Sequence, residues 1–194
     1  MGTQPRVFED LDTAHLWLAA TFADWVRELT EPERDALALY KGEGYRKVNG
    51  ALRGAVEMTE QVETTVEDLD VAIARMALPE SVVVWRAIAL PQLAQAPDDL
   101  VGDVIEEAAY VSTSLLRTVA VDFLQSCVEA GDGVLERITL AGGAHVAIPV
   151  HAAAPDLIHE LDEAELLLAR GTRLRVTADR RDQPHRTLDL EVLP

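Results

Sequence analysis

The sequence predicts an α+β fold on three observations. Before Pro79, apolar residues recur at three- and four-residue spacing; after it, β-branched and aromatic runs take over; these runs are short and are separated by Gly, Asp and Pro turns. Helices come first and strands follow, whereas a doubly wound parallel sheet would alternate them.

Leu11, His15, Leu18, Phe22, Trp25, Val26 and Leu29 fall on one face of an amphipathic helix over Leu11 to Leu29. Thr30-Glu31-Pro32-Glu33 then starts a second helix, with Thr30 as cap, Pro32 tolerated in the first turn and Glu33 where a capping box needs it. That helix runs to about Tyr40, and Lys41-Gly42-Glu43-Gly44 breaks it. Tyr45 to Arg53 forms a short third helix ended by Gly54, with Tyr45 and Asn49 on one face. A fourth covers about Thr65 to Ala77, turns Leu69, Ile73 and Met76 inward and ends at Pro79.

Ser81 to Ile88 reads as a buried strand, and Arg86 inside it is a charge that needs a partner or a task. Pro91 to Gly102 reads as a loop long enough to be a ligand flap. In the strand Ala109 to Leu115, alternation puts Ser112 and Ser114 on one face and Thr113 on the other. Further short strands fall at Val134 to Thr139, Ala144 to Val150, Glu163 to Leu168, Arg173 to Thr177 and Thr187 to Val192. The whole reads as one domain over 1–194, mostly helical over 1–80 and mostly β over 81–194.

A chain of 194 residues that is 48% hydrophobic can bury a substantial core. Its charge of −17, from 34 acidic against 17 basic residues, argues against a general nucleic-acid binder or an anionic membrane surface and leaves room for a basic partner. The single cysteine, Cys127, allows no internal disulfide. No basic segment followed by an apolar core marks a signal peptide, and no apolar run reaches the ~18 residues of a membrane span. His15, His145, His151, His159 and His185 are scattered without metal-ligand spacing, so no metal is expected.

Placed on one strand, Glu163 and Glu165 face the same way about 7 Å apart, ahead of the apolar run Leu166 to Leu168. Two readings stand: solvated charges at the mouth of a half-buried strand, or a pair in which one acid stabilises a cationic transition state while its neighbour handles a proton.

Four segments together carry a family resemblance: Arg86 after an aromatic residue, Ser112-Thr113-Ser114, Glu163-Ala164-Glu165 followed by Arg170-Gly171-Thr172, and Tyr40-Lys41-Gly42-Glu43-Gly44-Tyr45-Arg46-Lys47-Val48-Asn49-Gly50-Ala51-Leu52-Arg53. In order and spacing they resemble bacterial mono-ADP-ribosyltransferase exotoxins of the arginine, Ser-Thr-Ser, Glu-x-Glu class, over about Phe8 to Val192. The resemblance implies helices on a split, mainly antiparallel β core, NAD as co-substrate, and transfer of ADP-ribose to an arginine of a target protein. It also implies a secreted or delivered effector acting in the cytosol of a target cell, and an antidote or immunity protein as a further partner.

Within it, Arg86 grips the diphosphate side of NAD, which suits a planar guanidinium fork better than an ammonium. Glu165 bonds the nicotinamide-ribose hydroxyl and favours the oxocarbenium-like centre left when the nitrogen base departs. Ser112 holds Glu165 in one rotamer, and Ser114 supports the nicotinamide pocket. Glu163, as glutamate rather than glutamine, goes with arginine as acceptor, since a carboxylate can pair with a guanidinium and draw its proton. Tyr45 and Asn49 contact adenosine or else close the helix on the sheet; Phe123 stacks near nicotinamide or packs in the core; the bland reading of Arg86 is a strand arginine paired with a surface acid. Many relatives carry an aromatic residue two places before the first glutamate, where this chain has Leu161, so the usual protein target does not carry over. Two other functions stay open: an NAD glycohydrolase using the same site, and an NAD-binding module without turnover.

Overall fold

Helix α1 (Leu11–Glu28) starts where Asp10 caps it, Thr13 N donating to Asp10 Oδ1 at 2.7 Å, and its stripe Trp17, Leu18, Phe22, Trp25 and Val26 is buried. The computed structural model describes residues 4–89, 99–127, 133–149, 163–181 and 185–194. Most of the expected flap, the turn carrying Leu161, and His151 and His159 lie outside the described residues.

Helix α2 (Glu31–Leu39) carries the capping box read from the sequence: Thr30 N donates to Glu33 Oε2 at 2.6 Å and Glu33 N to Thr30 Oγ1 at 3.5 Å. Glu33 is only 2% exposed and also accepts from Arg75 Nη1 at 2.8 Å, which ties α2 to the end of α4 (Glu60–Ala74). Helix α4 starts at Glu60 rather than near Thr65, because Thr59 caps it through a bond from Val62 N.

Between α2 and α3 (Tyr45–Leu52) the chain does not simply break. It widens into a π-helical turn, Tyr40–Gly44, with Gly42 at φ −77°, ψ −144° outside helical space. Glycine is required at 44, where a Cβ would lie 2.2 Å from Leu39 Cδ2 and 2.5 Å from its carbonyl oxygen.

The strands are β1 (Val82–Ala89), β2 (Val104–Glu107), β3 (Val111–Ser114), β4 (Gly133–Leu140), β5 (Val146–Ala147), β6 (Glu165–Leu168), β7 (Thr172–Arg180) and β8 (Arg186–Val192), with helix α5 (Arg117–Cys127) after β3. They run in the order β2-β7-β8-β4-β1-β3-β6-β5, antiparallel except for the parallel pair β4 and β8. β1 and β3 meet through one residue pair, Trp85 opposite Ser114, so a five-stranded part and a three-stranded part join at a narrow seam. Both faces of β1 are covered. Val82 and Val84 enter the main core with α1 to α4, while Val83 and Trp85 pack with Ala120 of α5.

The structure also corrects the sequence reading from β2 onward. β2 and α5 were not expected, β5 is reduced to two residues, and β6 starts at Glu165 rather than Glu163.

Although burial pushes the Glu33 carboxyl up, hydrogen bonds from Thr30 and the Arg75 guanidinium hold it below its ordinary value of 4.5. A lowered folded-state pKa gives stability that is present above the ordinary value and is lost as pH falls through the folded one. Thr30→Ala is expected to cost about 1 kcal/mol in urea unfolding at neutral pH. Glu33→Gln is expected to be destabilised at pH 7 and to lose less stability than the parent on acidification, as read from unfolding midpoints against pH.

Candidate active site

β6 is held on β3 in a register that sets Ser114 opposite Glu165 and Ser112 opposite Leu167. Ser112 Oγ donates to Glu165 Oε1, a diagonal contact that the pleat allows. Thr113 Oγ1 donates instead to Leu166 O at 2.7 Å and is buried.

Glu163 does not share a strand face with Glu165. Ala164, fully buried, takes φ 43°, and this left-handed residue turns the chain just before β6. The turn is tied by Ser114 Oγ donating to Glu163 O at 2.5 Å and Leu115 N donating to Ala164 O at 3.0 Å. The Ser114 hydroxyl is therefore engaged with the backbone of this turn, where the resemblance placed it at the nicotinamide pocket.

The two carboxylates nevertheless converge, through a residue the sequence reading gave no role. Lys41 Nζ, on the π-helical turn, lies 2.7 Å from Glu163 Oε2 and 2.9 Å from Glu165 Oε2. Burial works against its charge, but Glu165 and Glu163 outweigh burial and raise its proton affinity, so it stays an ammonium at neutral pH. The Glu165 side chain is 8% exposed and that of Glu163 57%.

Arg86 on β1 faces Glu136 on β4, with Nη1 3.3 Å from Glu136 Oε2 and 3.0 Å from Glu107 Oε1. Its acid partners are interior ones: Glu136 is 0% exposed and Oε1 has no hydrogen-bond partner among the described residues. Burial raises the Glu136 carboxyl, with Arg86 only partly opposing it. Glu107 also receives Arg53 Nη2 at 3.4 Å, which makes a chain Arg53, Glu107, Arg86, Glu136. A glutamate inside the strand Gly133–Leu140 was the legible sign that a buried cation lay opposite.

Tyr40 links these groups. Its phenol is pushed up to about 12, first by burial; a bond from Asn49 opposes this, Glu165 adds to it, and Arg53 and Arg86 pull the other way. One buried hydroxyl thus lies within the fields of Glu165, Arg53 and Arg86. Asn49 Nδ2 donates to Tyr40 Oη at 2.9 Å, while Asn49 Oδ1, buried, has no partner among the described residues. Tyr40 also packs edge-on to Tyr110, whose single hydroxyl proton is shared between Asp70 Oδ1 at 2.7 Å and Val66 O at 2.9 Å on α4. Tyr45, by contrast, is exposed and lies under the Arg46 guanidinium. Phe123, 51% exposed on α5, is not a core residue. A cleft of about 640 Å³ between α2 and α4 is lined by Glu31, Asp35, Glu60 and Asp68 and includes none of these groups.

A sheet parted at a narrow seam, with a half-buried arginine on one side and a paired carboxylate site on the other, defines a class that sequence comparison makes specific. The chain belongs to the ADP-ribosyltransferase exoenzyme family, whose model matches residues 14–191. A protein of Mycobacterium avium (strain 104) named as an NAD(+)–arginine ADP-ribosyltransferase, Mav, is 33% identical over 146 residues, 74% of this chain and 15% of that protein. The chain therefore spans about 15% of the length of that relative. The C3 exoenzyme of Clostridium limosum shares the fold, with a TM-score of 0.76 at 17% identity over 99% of this chain and 98% of that one. C3stau2 from S. aureus, solved with NAD, gives 0.76 at 17% identity over 98% and 99%.

The left-handed turn gives a test. Ala164→Val, β-branched at positive φ in a buried position, is expected to destabilise by about 2 to 3 kcal/mol, and Ala164→Gly by less than about 1 kcal/mol, in chemical unfolding.

Proposed function

We propose that this domain is an NAD-dependent mono-ADP-ribosyltransferase that transfers ADP-ribose to an arginine side chain of a target protein. The observation that carries the reading is the pair Glu163 and Glu165 gathered on Lys41, with Ser112 bonded to Glu165. It is supported by membership of the ADP-ribosyltransferase exoenzyme family and by the name of the Mycobacterium avium relative.

The residues fit NAD as co-substrate. Arg86, held by two carboxylates, presents a fixed guanidinium for a diphosphate, and the buried Asn49 Oδ1 is an acceptor that a ribose hydroxyl would satisfy. Tyr45 and Phe123, both exposed, offer aromatic faces to the adenine and nicotinamide ends.

In the reaction the bond between the ribose carbon and the nicotinamide nitrogen breaks, and its electron pair leaves with neutral nicotinamide. Glu165, nearly buried and oriented by Ser112, stabilises the positive charge that develops on the ribose. Glu163, on its turn and more exposed, pairs with the acceptor guanidinium. It takes the proton lost as the guanidine nitrogen bonds the ribose carbon. The exposure of Glu163 also favours a second reading, transfer to water as an NAD glycohydrolase. Nicotinamide release without labelled protein would select it. We place the domain as a delivered effector whose partners are a target protein with an accessible arginine and an antidote protein.

Glu165→Gln is expected to abolish both transfer and nicotinamide release, by at least about 100-fold. Glu163→Gln is expected to lose arginine transfer while keeping part of the hydrolysis. Intact transfer in Glu163→Gln, measured with labelled NAD and a protein acceptor, would overturn the arginine assignment. Arg86→Lys is expected to raise the KM for NAD more than it lowers kcat in steady-state nicotinamide release.

A further inference from the structure

Lys41 has no part in the reaction described above, yet it makes the two bonds that join the catalytic carboxylates. Its placement is built in. The π-helical turn projects it from between α2 and α3, and the close approach to Leu39 at Gly44 leaves no room for a side chain there. The two bonds are unequal. Glu165 is nearly buried and also held by Ser112, whereas Glu163 is more than half exposed, and Lys41 is its side-chain partner among the described residues.

We propose that Lys41 is an internal stand-in for the acceptor cation: its ammonium holds Glu163 until an arginine guanidinium displaces it, and its bond to Glu165 persists and keeps that carboxylate aimed. The inference rests on the arginine-transfer reading above. Displacement is favoured because a guanidinium presents two parallel N–H donors to one carboxylate where an ammonium offers a point charge. It is confined to Glu163 because an exposed pair is screened and weak, while the buried pair with Glu165 is costly to break. Lys41 is thus a positioning residue for Glu165 and a selector at Glu163.

The test uses Lys41→Met and Lys41→Arg with NAD, and with agmatine, a small guanidine, as acceptor probe. Lys41→Met is expected to lower the agmatine KM about three- to five-fold. It is also expected to lower kcat for nicotinamide release without acceptor about ten-fold, with the NAD KM unchanged. Lys41→Arg, which keeps a cation, is expected to recover most of that kcat. An agmatine KM unchanged or raised in Lys41→Met would overturn the inference, as would a fall in kcat matched by a rise in the NAD KM. Wild-type protein that releases nicotinamide without labelling agmatine would overturn the arginine reading and this inference with it. Labelling by both wild type and Lys41→Met with equal constants would remove the role of Lys41 alone.

Discussion

The register between β3 and β6 is the constraint on which the site depends. Moving the pairing by one residue would carry Glu165 to the opposite face and bring Leu166 in its place. The register is held on one side by the buried run Leu166, Leu167 and Leu168, which cannot be turned to solvent. On the other side Ser114 stitches the turn before β6 to β3. The left-handed Ala164 costs about 1–2 kcal/mol, and these contacts offset it. The strain has a purpose that a regular strand could not serve: it sets Glu163 and Glu165 at different depths while both still reach one ammonium.

The second half of the site is organised by buried charge. Arg53, Glu107, Arg86 and Glu136 alternate in sign, so each carboxylate is met by a guanidinium. The pairs of Arg86 with Glu107 and Glu136, largely shielded from solvent, add little net stability because desolvation opposes their attraction, and the exposed Arg53 end is screened. What they supply is direction: Arg86 is already oriented, so less ordering cost would fall on any anion it binds.

Much of this was legible in the sequence, and the gaps have physical reasons. The helices α1 to α4 announced themselves through apolar period, and the Thr30 and Glu33 box is present as read, whereas the Asp10 and Thr59 caps were not read. β1 was legible because its first half, Val82 to Trp85, is covered on both faces and reads as an unbroken apolar run. β2 was missed because it is a partly exposed strand, Val-Ile-Glu-Glu, with neither a long apolar run nor clean alternation. α5 went unread between two strands. The bond between Ser112 and Glu165 was legible only through the family resemblance, which set the two residues together. Lys41 was not, because its partners lie over a hundred residues away and only the π-helical turn brings it to them. The alternation rule also put Glu163 and Glu165 on one strand, which Ala164 prevents.

The seam between β1 and β3 carries one further consequence. With Trp85 and Ser114 the only register pair across it among the described residues, this is the least laddered junction described in the sheet. Arg86 belongs to one bank, and Ser112 and Glu165 to the other. A dinucleotide gripped from both banks would act as a rivet across this short-laddered joint, so occupancy and mechanical cohesion of the sheet would rise together.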